Sequence, residues 1–137
     1  MAQRGSEVLG WVFLEIGSMP LISHWAWFKR LMVLPSMQGQ GLGRRLTVAA
    51  VDLGRDLGLE QLYLTCRSET GLADFYGRLG WLEVGRMPRN LRLADGSYRD
   101  EIYMVFEFLA PGISAPQLST DADGGQPTGN VTLFEAK

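Results

Sequence analysis

Apolar and polar positions change period along the chain, and the changes mark out its elements. Glu7 to Ile16, EVLGWVFLEI, is rich in β-branched and aromatic residues and ends at the turn-forming GSMP, which predicts a strand. His24 to Pro35, HWAWFKRLMVLP, predicts a second strand close behind, so the two form an antiparallel hairpin stopped by Pro35. Trp25 and Trp27 share a parity and belong on one face. From Gly43 the period lengthens. Leu42, Leu46, Ala49, Ala50, Leu53 and Leu57 recur at helical intervals while Arg44, Arg45, Asp52, Arg55 and Asp56 face elsewhere, an amphipathic helix capped by Gly58. Gln61 to Cys66, QLYLTC, is again a strand, with Leu62, Leu64 and Cys66 on one face. Strand, glycine turn, helix and strand make a βαβ unit, for which a right-handed crossover and parallel strands are expected.

Leu72, Phe75, Tyr76 and Leu79 predict a short second helix over 70–81, closed by Gly80. LEVGRMP and EIYMVFEF flank the Asp-Gly turn signal ADGS and predict two final antiparallel strands. After residue 109 the composition shifts to Pro, Gly, Ser, Thr and Asp. This divides the chain into a domain over 1–109 and a flexible tail over 110–137, in which VTLFE docks locally.

The join between the second strand and the first helix, VLPSMQGQGLGRRL, places glycines at alternate positions, Gly39, Gly41 and Gly43. Such a turn lets the backbone approach a ligand closely. The first amides of the following helix lack intrahelical acceptors and, with the helix dipole, suit a pyrophosphate. A bare turn needing left-handed glycines would read the same way. A dinucleotide fingerprint fits poorly, because Arg44 stands where its third glycine belongs; a P-loop fits poorly, because Gly43-Arg44-Arg45 replaces Gly-Lys-Ser/Thr.

The stretch RLMVLPSMQGQGLGRRL resembles the acyl-CoA signature of the GNAT superfamily of N-acetyltransferases, Gln/Arg-x-x-Gly-x-Gly/Ala, through Gln38, Gly41 and Gly43. ADFYGRLGW, with Tyr76, Gly80 and Trp81, is similar to a second element of that family. The resemblance implies an α+β (α/β) fold of the acyl-CoA N-acyltransferase kind. Its sheet is mixed but mostly antiparallel, with a central parallel pair splayed at the CoA site and helices packed on it. It assigns Gln38, Gly39, Gln40, Gly41, Leu42, Gly43 and Arg44 to the CoA pyrophosphate, and the main chain of Leu31, Met32 and Val33 to the pantetheine arm, which lies along the strand like an added one. Acetyl-CoA is then the co-substrate and a small amine the acceptor.

Acetyl transfer to an amine needs a deprotonated nitrogen, a polarised carbonyl and a proton donor for the departing thiolate. The resemblance makes Tyr76 the donor and gives the carbonyl a main-chain amide, that of Val33. The family's strand glutamate has no counterpart in HWAWFKR, so the base falls to His24, whose side-chain type titrates near neutrality, or to Glu15 at the end of the first strand. Cys66 alternates with Leu62 and Leu64 and reads as an inert buried thiol rather than a nucleophile. Arg99, Asp100 and Glu101 stand at a turn-to-strand junction that borders the acceptor in the family and is otherwise a solvated turn.

Composition narrows the partners. A chain of 137 residues, 46% hydrophobic, accommodates one cored domain, and a net charge of −2 gives no basic field for nucleic acid. One cysteine and one histidine build neither a disulfide framework nor a structural zinc site, and no metal is expected. The first residues lack a signal-peptide pattern and no apolar run reaches about 18 residues, so the expectation is a cytoplasmic protein with no membrane partner. Relatives open with a strand, two helices and another strand for which there is no room before Glu7. A start of this kind exposes apolar sheet, so the expectation is a truncated domain or a homodimer, and the competing reading is a non-catalytic acyl-CoA-binding module acting through a partner chain.

Overall fold

The computed structural model describes residues 1–108 and the backbone of 134–136. Its strands are β1 (Ala2–Arg4), β2 (Glu7–Ile16), β3 (Trp25–Val33), β4 (Gln61–Arg67), β5 (Leu82–Arg92), β6 (Tyr98–Glu107) and β7 (Phe134–Ala136). Its helices are α1 (Leu42–Asp56) and α2 (Leu72–Gly77). The strands form one sheet in the order β1-β2-β3-β4-β6-β5, with β7 alongside β2. All pairs are antiparallel except β3 with β4 and β2 with β7. This is the mixed, mostly antiparallel α+β arrangement with a central parallel pair that the resemblance implied.

Alternation gives the sheet two unlike faces. Val12, Leu14, Ala26, Phe28, Leu62, Leu64, Ile102 and Met104 are buried beneath the helices, together with Leu46, Ala50 and Val51 of α1. At roughly 1.5–3 kcal/mol for each large side chain taken out of water, this layer dominates the stabilisation of the fold. On the opposite face Trp25, Trp27 and Tyr63 are half-buried against one another, with ring centroids 5.0–6.0 Å apart. The shared parity of the two tryptophans is therefore realised, as an edge-on pair.

Several boundaries depart from the sequence reading, each for a physical reason. β1 is too short to show a period, and it pairs with β2 across a turn at Gly5, whose φ is +57°. The second helix is regular only over Leu72–Gly77. Its last turn then tightens: the Leu79 amide donates to the Tyr76 carbonyl, and the Trp81 amide reaches the same carbonyl across Gly80. β5 continues through Pro88 to Arg92 because it is an edge strand, where a missing amide costs no ladder bond, and its register with β6 slips twice. β7 realises the docking expected for VTLFE: Phe134–Ala136 pairs with Phe13–Glu15, beyond the part of β2 that β1 covers. The flexible tail expected over 110–137 otherwise lies outside the described residues.

β3 contains an irregularity that positions the site. It spends three steps, Lys29 to Met32, where β2 spends two, Phe13 to Trp11, and Arg30 takes φ +54° in the extra residue. A left-handed non-glycine residue costs on the order of 1–3 kcal/mol, so the surroundings must hold it. Gly10 is part of that support: a Cβ there would meet the Met32 carbonyl oxygen at 2.6 Å and the Leu46 side chain at 3.0 Å. Gly10→Ala should lower the urea midpoint by the equivalent of roughly 1–3 kcal/mol through overpacking at the bulge. Gly77→Ala, where a Cβ enters open space at the end of α2, should raise it by roughly 0.5–1 kcal/mol.

Candidate active site

β3 and β4 run side by side for only three pairs, Trp25 with Gln61, Ala26 with Leu62 and Trp27 with Tyr63. Beyond them β3 continues from Phe28 to Val33 and β4 from Leu64 to Arg67 without pairing to each other. The facing edges of two parallel strands are thus left open over the C-terminal half of each. Main-chain groups along Leu31, Met32 and Val33 border this gap, and an extended ligand could add to that edge.

At the open end the chain passes through a tight turn at Pro35–Met37 into the glycine segment. Gly39 and Gly41 are both left-handed, with φ of +75° and +76°, and Gly41 is the N-cap of α1. No atom lies within 4 Å of where their Cβ atoms would stand, so both glycines serve backbone conformation and face open space. Gly43, inside the first turn of α1, faces Val33 and the Phe75 ring at about van der Waals distance. Gln38 folds back so that its Nε2 donates to the Val33 carbonyl at 3.3 Å, and the Gln40 Nε2 donates to the Ser36 carbonyl at 3.0 Å. These side chains brace the turn, while the amides opening α1 have no side-chain cap.

Tyr76 stands across the gap from the turn. Its ring is wedged edge-on between Phe28 (5.9 Å), Trp81 (5.8 Å) and Phe75 (5.0 Å) and is 6% exposed. Phe28 is the first residue of β3 past the last paired position, so the phenol lies on the helix face at the level where the strands part. Among the described residues its hydroxyl has no hydrogen-bond partner. Burial, with a smaller contribution from Cys66, pushes its pKa up to about 12. The Cys66 thiol, 7% exposed, is itself raised by burial and by the Glu83 carboxylate, against the opposing charge of Arg86. That suits an inert thiol.

The two expected bases lie elsewhere. His24 is exposed at the closed end of the parallel pair, where its carbonyl accepts the Glu60 amide at 2.7 Å. At about 3.3 Å of rise per residue, Phe28 is roughly 13 Å further along β3. Glu15 lies on the face away from the helices and is ion-paired to Lys29 at 2.7 Å, with the Lys29 ammonium 5.9 Å from the Trp27 ring. The structure therefore gathers Tyr76, the glycine turn and the free edge of β3, and places neither His24 nor Glu15 with them. The Glu15–Lys29 pair went unread because the two are diagonal neighbours, Glu15 opposite Trp27 and Lys29 opposite Phe13, which appears only once the hairpin register is known.

A cleft of about 330 Å³ opens beside α2, between the end of β4 and the start of β6. Arg67, Glu69, Asp74, Arg86, Arg99 and Asp100 are among its lining residues. Of the junction singled out in the sequence, Arg99 and Asp100 reach the cleft, whereas Glu101 accepts from Asn90 and Tyr103. Arg67 and Asp74 carry no local signal, since only the packing of α2 beside β4 brings them to one cavity. Among the described residues no group of three or more His, Cys, Asp or Glu side chains could hold a metal ion, and no helix is long and apolar enough to cross a membrane.

Comparison with known proteins follows this geometry. No curated protein matches the chain. Among solved structures, the ribosomal-protein-S18-alanine N-acetyltransferase from Escherichia coli aligns at TM-score 0.69 with 21% identity, over 84% of this chain and 74% of that one. The GNAT-family acetyltransferase from Streptococcus pneumoniae aligns at 0.72 with 19% identity, over 77% of this chain and 64% of that one, so the chain spans less than two thirds of its length. A Bacillus subtilis acetyltransferase in complex with CoA aligns at 0.66 with 18% identity, over 78% and 74%. At such identities the likeness is one of fold. The family comparison goes further, because residues 1–81, more than half of the chain, match the family described as Acetyltransferase (GNAT) family. Glycine turn, parted strands and Tyr76 all fall within that match, and the chain belongs to the GNAT acetyltransferase family.

Proposed function

We propose that this protein transfers an acetyl group from acetyl-CoA to a primary amine of a small molecule, by direct attack in a ternary complex. The observation that carries the reading is the gap between β3 and β4, with a left-handed glycine turn at its open end and an unpartnered phenol beside its inner end. In this reading the pyrophosphate lies on Gln38, Gly39, Gln40, Gly41, Leu42, Gly43 and Arg44, where the first amides of α1 and its dipole favour negative charge. The pantetheine arm takes the free edge of β3 along Leu31, Met32 and Val33, and the thioester then ends near Phe28 and Tyr76. The CoA bound by the Bacillus subtilis relative supports the donor.

Tyr76 contributes a hydrogen bond rather than a free proton. With its pKa at about 12 and a thiol near 8.5, full transfer to the thiolate is uphill by roughly 5 kcal/mol. A neutral phenol still stabilises sulfur as negative charge develops, and a hydrogen bond to a charged group contributes about 1.5–3 kcal/mol. Main-chain amide near Val33 polarises the carbonyl. Removal of the amine proton falls to solvent or, through water, to Glu15, with His24 further off.

The alternative, a non-catalytic acyl-CoA-binding module, is favoured by one observation: the Glu15 carboxylate is engaged by Lys29 and no other carboxylate replaces the family's strand glutamate on β3. A homodimer, in either reading, would form over the half-buried Trp25, Trp27 and Tyr63 face.

Thiol release from acetyl-CoA across a panel of primary amines separates the readings, because a module binds CoA and releases none. Tyr76→Phe should lower kcat by roughly 10–100-fold, the rate equivalent of one charge-assisted hydrogen bond, with little change in KM for acetyl-CoA. Since the phenol stays protonated below its raised pKa, the wild-type rate should show no alkaline loss attributable to Tyr76 up to about pH 10–11. A fall centred near pH 10 that disappears in the phenylalanine variant would contradict its burial. Gly41→Asp adds backbone strain and a negative charge at the turn and should weaken CoA binding, measured calorimetrically, by at least about 10-fold; unchanged affinity would remove the pyrophosphate from this turn.

A further inference from the structure

We propose that a second copy of this chain packs on the sheet face away from the helices, about a twofold axis that sets the strands of the two sheets antiparallel. Each copy then closes the outer side of the other's gap between β3 and β4. The packing stands on the sheet alone, whereas its use in closing a catalytic gap rests on the acetyltransferase reading. Among the described residues both helices cover the same face, so the gap is walled on that side, with Phe28 and Tyr76 at its inner end, and is bare on the other.

Register gives the bare face its composition. Trp25 lies opposite Gln61 and Trp27 opposite Tyr63, which sets the aromatic cluster at the closed end of the parallel pair. Tyr63 opposite Val105 and Thr65 opposite Tyr103 carry the face across to β6, and Leu82 and Met87 extend it onto β5. Leu82 is 60% exposed and Met87 50%, and on the other flank Met32, opposite Trp11, is 51% exposed. Large apolar side chains left in water together mark an interaction surface. The strands β2, β3, β4, β6 and β5, about 4.8 Å apart and about seven residues long, present on the order of 500–600 Å² in projection. Side-chain relief brings that toward the roughly 800 Å² that each partner contributes to a standard interface.

Charge on this face suits a copy of itself and fixes the direction of packing. Glu15 is neutralised by Lys29 at 2.7 Å. Arg67 ends β4 beside the gap and has no ion-pair or hydrogen-bond partner among the described residues, and Glu101, opposite it in the ladder, is turned to Asn90 and Tyr103. At the closed end Glu107 accepts from the Gln61 amide at 3.1 Å and meets no cation among the described residues. Arg67 and Glu107 thus stand at opposite ends of the β4–β6 ladder, roughly 20 Å apart at about 3.3 Å per residue. A twofold axis along the strands would set Glu107 beside the partner's Glu107. An in-plane axis across the strands sets each Arg67 by the partner's Glu107 instead. Sheets of one twist pack face to face about 10 Å apart, and an isologous contact of this kind closes as a dimer. In that dimer β4 crosses its copy near Tyr63 and Thr65, and the partner's Trp25 and Trp27 come to lie over β3 beyond Phe28. Water is then excluded from the side of the gap that the helices leave open.

The test uses the intact chain in sedimentation and light scattering from nanomolar to millimolar protein, where a monomer–dimer equilibrium is expected. Thr65, Arg67 and Glu107 are all exposed, so the variants leave the core untouched. Thr65→Arg sets two like charges together at the crossing and should weaken the dimer at least about 10-fold. Arg67→Glu and Glu107→Arg should each weaken it by a similar factor, and the two changes combined should restore association toward that of the wild type. A monomer at every concentration would give the face to another occupant and overturn the proposal, as would a dimer that Thr65→Arg leaves intact. Failure of the combined variant to recover would overturn the antiparallel arrangement. In thiol-release assays with acetyl-CoA and a panel of primary amines, turnover per chain should rise with protein concentration in step with the dimer fraction, and Thr65→Arg should shift that rise to at least about 10-fold higher concentration. Turnover indifferent to dimer formation would overturn the closure of the gap. A dimer that releases no thiol with any acceptor would keep the packing and overturn the transferase reading instead.

Discussion

Everything distinctive about this molecule depends on two parallel strands that stop pairing. The neighbouring ladders run further, from Gln61 to Arg67 on the β6 side of β4 without a break and from Gly10 to Ile16 along the β2 side of β3 with one bulge. Between β3 and β4 the ladder ends at Trp27 and Tyr63. Unpaired strand edges inside a sheet are costly unless something answers them. The bulge at Arg30 bends β3, and the Phe28, Tyr76 and Trp81 rings pack against one another at the level of the parting. A glycine turn at the mouth and a tyrosine at the inner end are then consequences of position rather than separate devices.

Burial also sets the character of that tyrosine. The same edge-on contacts that fix the ring exclude water from it, and exclusion disfavours phenolate. Packing thereby keeps the phenol protonated across the physiological range, with Cys66 adding only a smaller push in the same direction. Charge around the cleft is met by direct partners instead: Glu69 pairs with Arg99, Glu83 with Arg86, and the Arg89 amide donates to the Asp100 carboxylate.

Local pattern and long-range register were unequally legible. α1 was plain because its leucine and alanine stripe recurs over four turns of one helix, and the glycine turn because Gly39 and Gly41 need a backbone few residues adopt. Parity alone put Trp25 with Trp27 and buried Cys66. β1 was missed since a strand of three residues carries no period, and the bulge since Arg30 is not a residue type that announces a left-handed conformation. The family resemblance supplied the splayed pair; nothing in the local pattern says where pairing ends. The cleft was the least readable feature, being assembled from β4, α2, β5 and β6, whose charges look individually like solvated surface.

Cys66 is the chain's single cysteine, and its place beneath α2 gives it a use unrelated to chemistry. A thiol reagent cannot reach it while the helix is seated, so alkylation proceeds only as fast as α2 lifts from β4. Because Tyr76 rides on that helix, the labelling rate of one native sulfur atom is a clock for how often the site comes apart, and a ligand that bridges α2 to the strands should slow it.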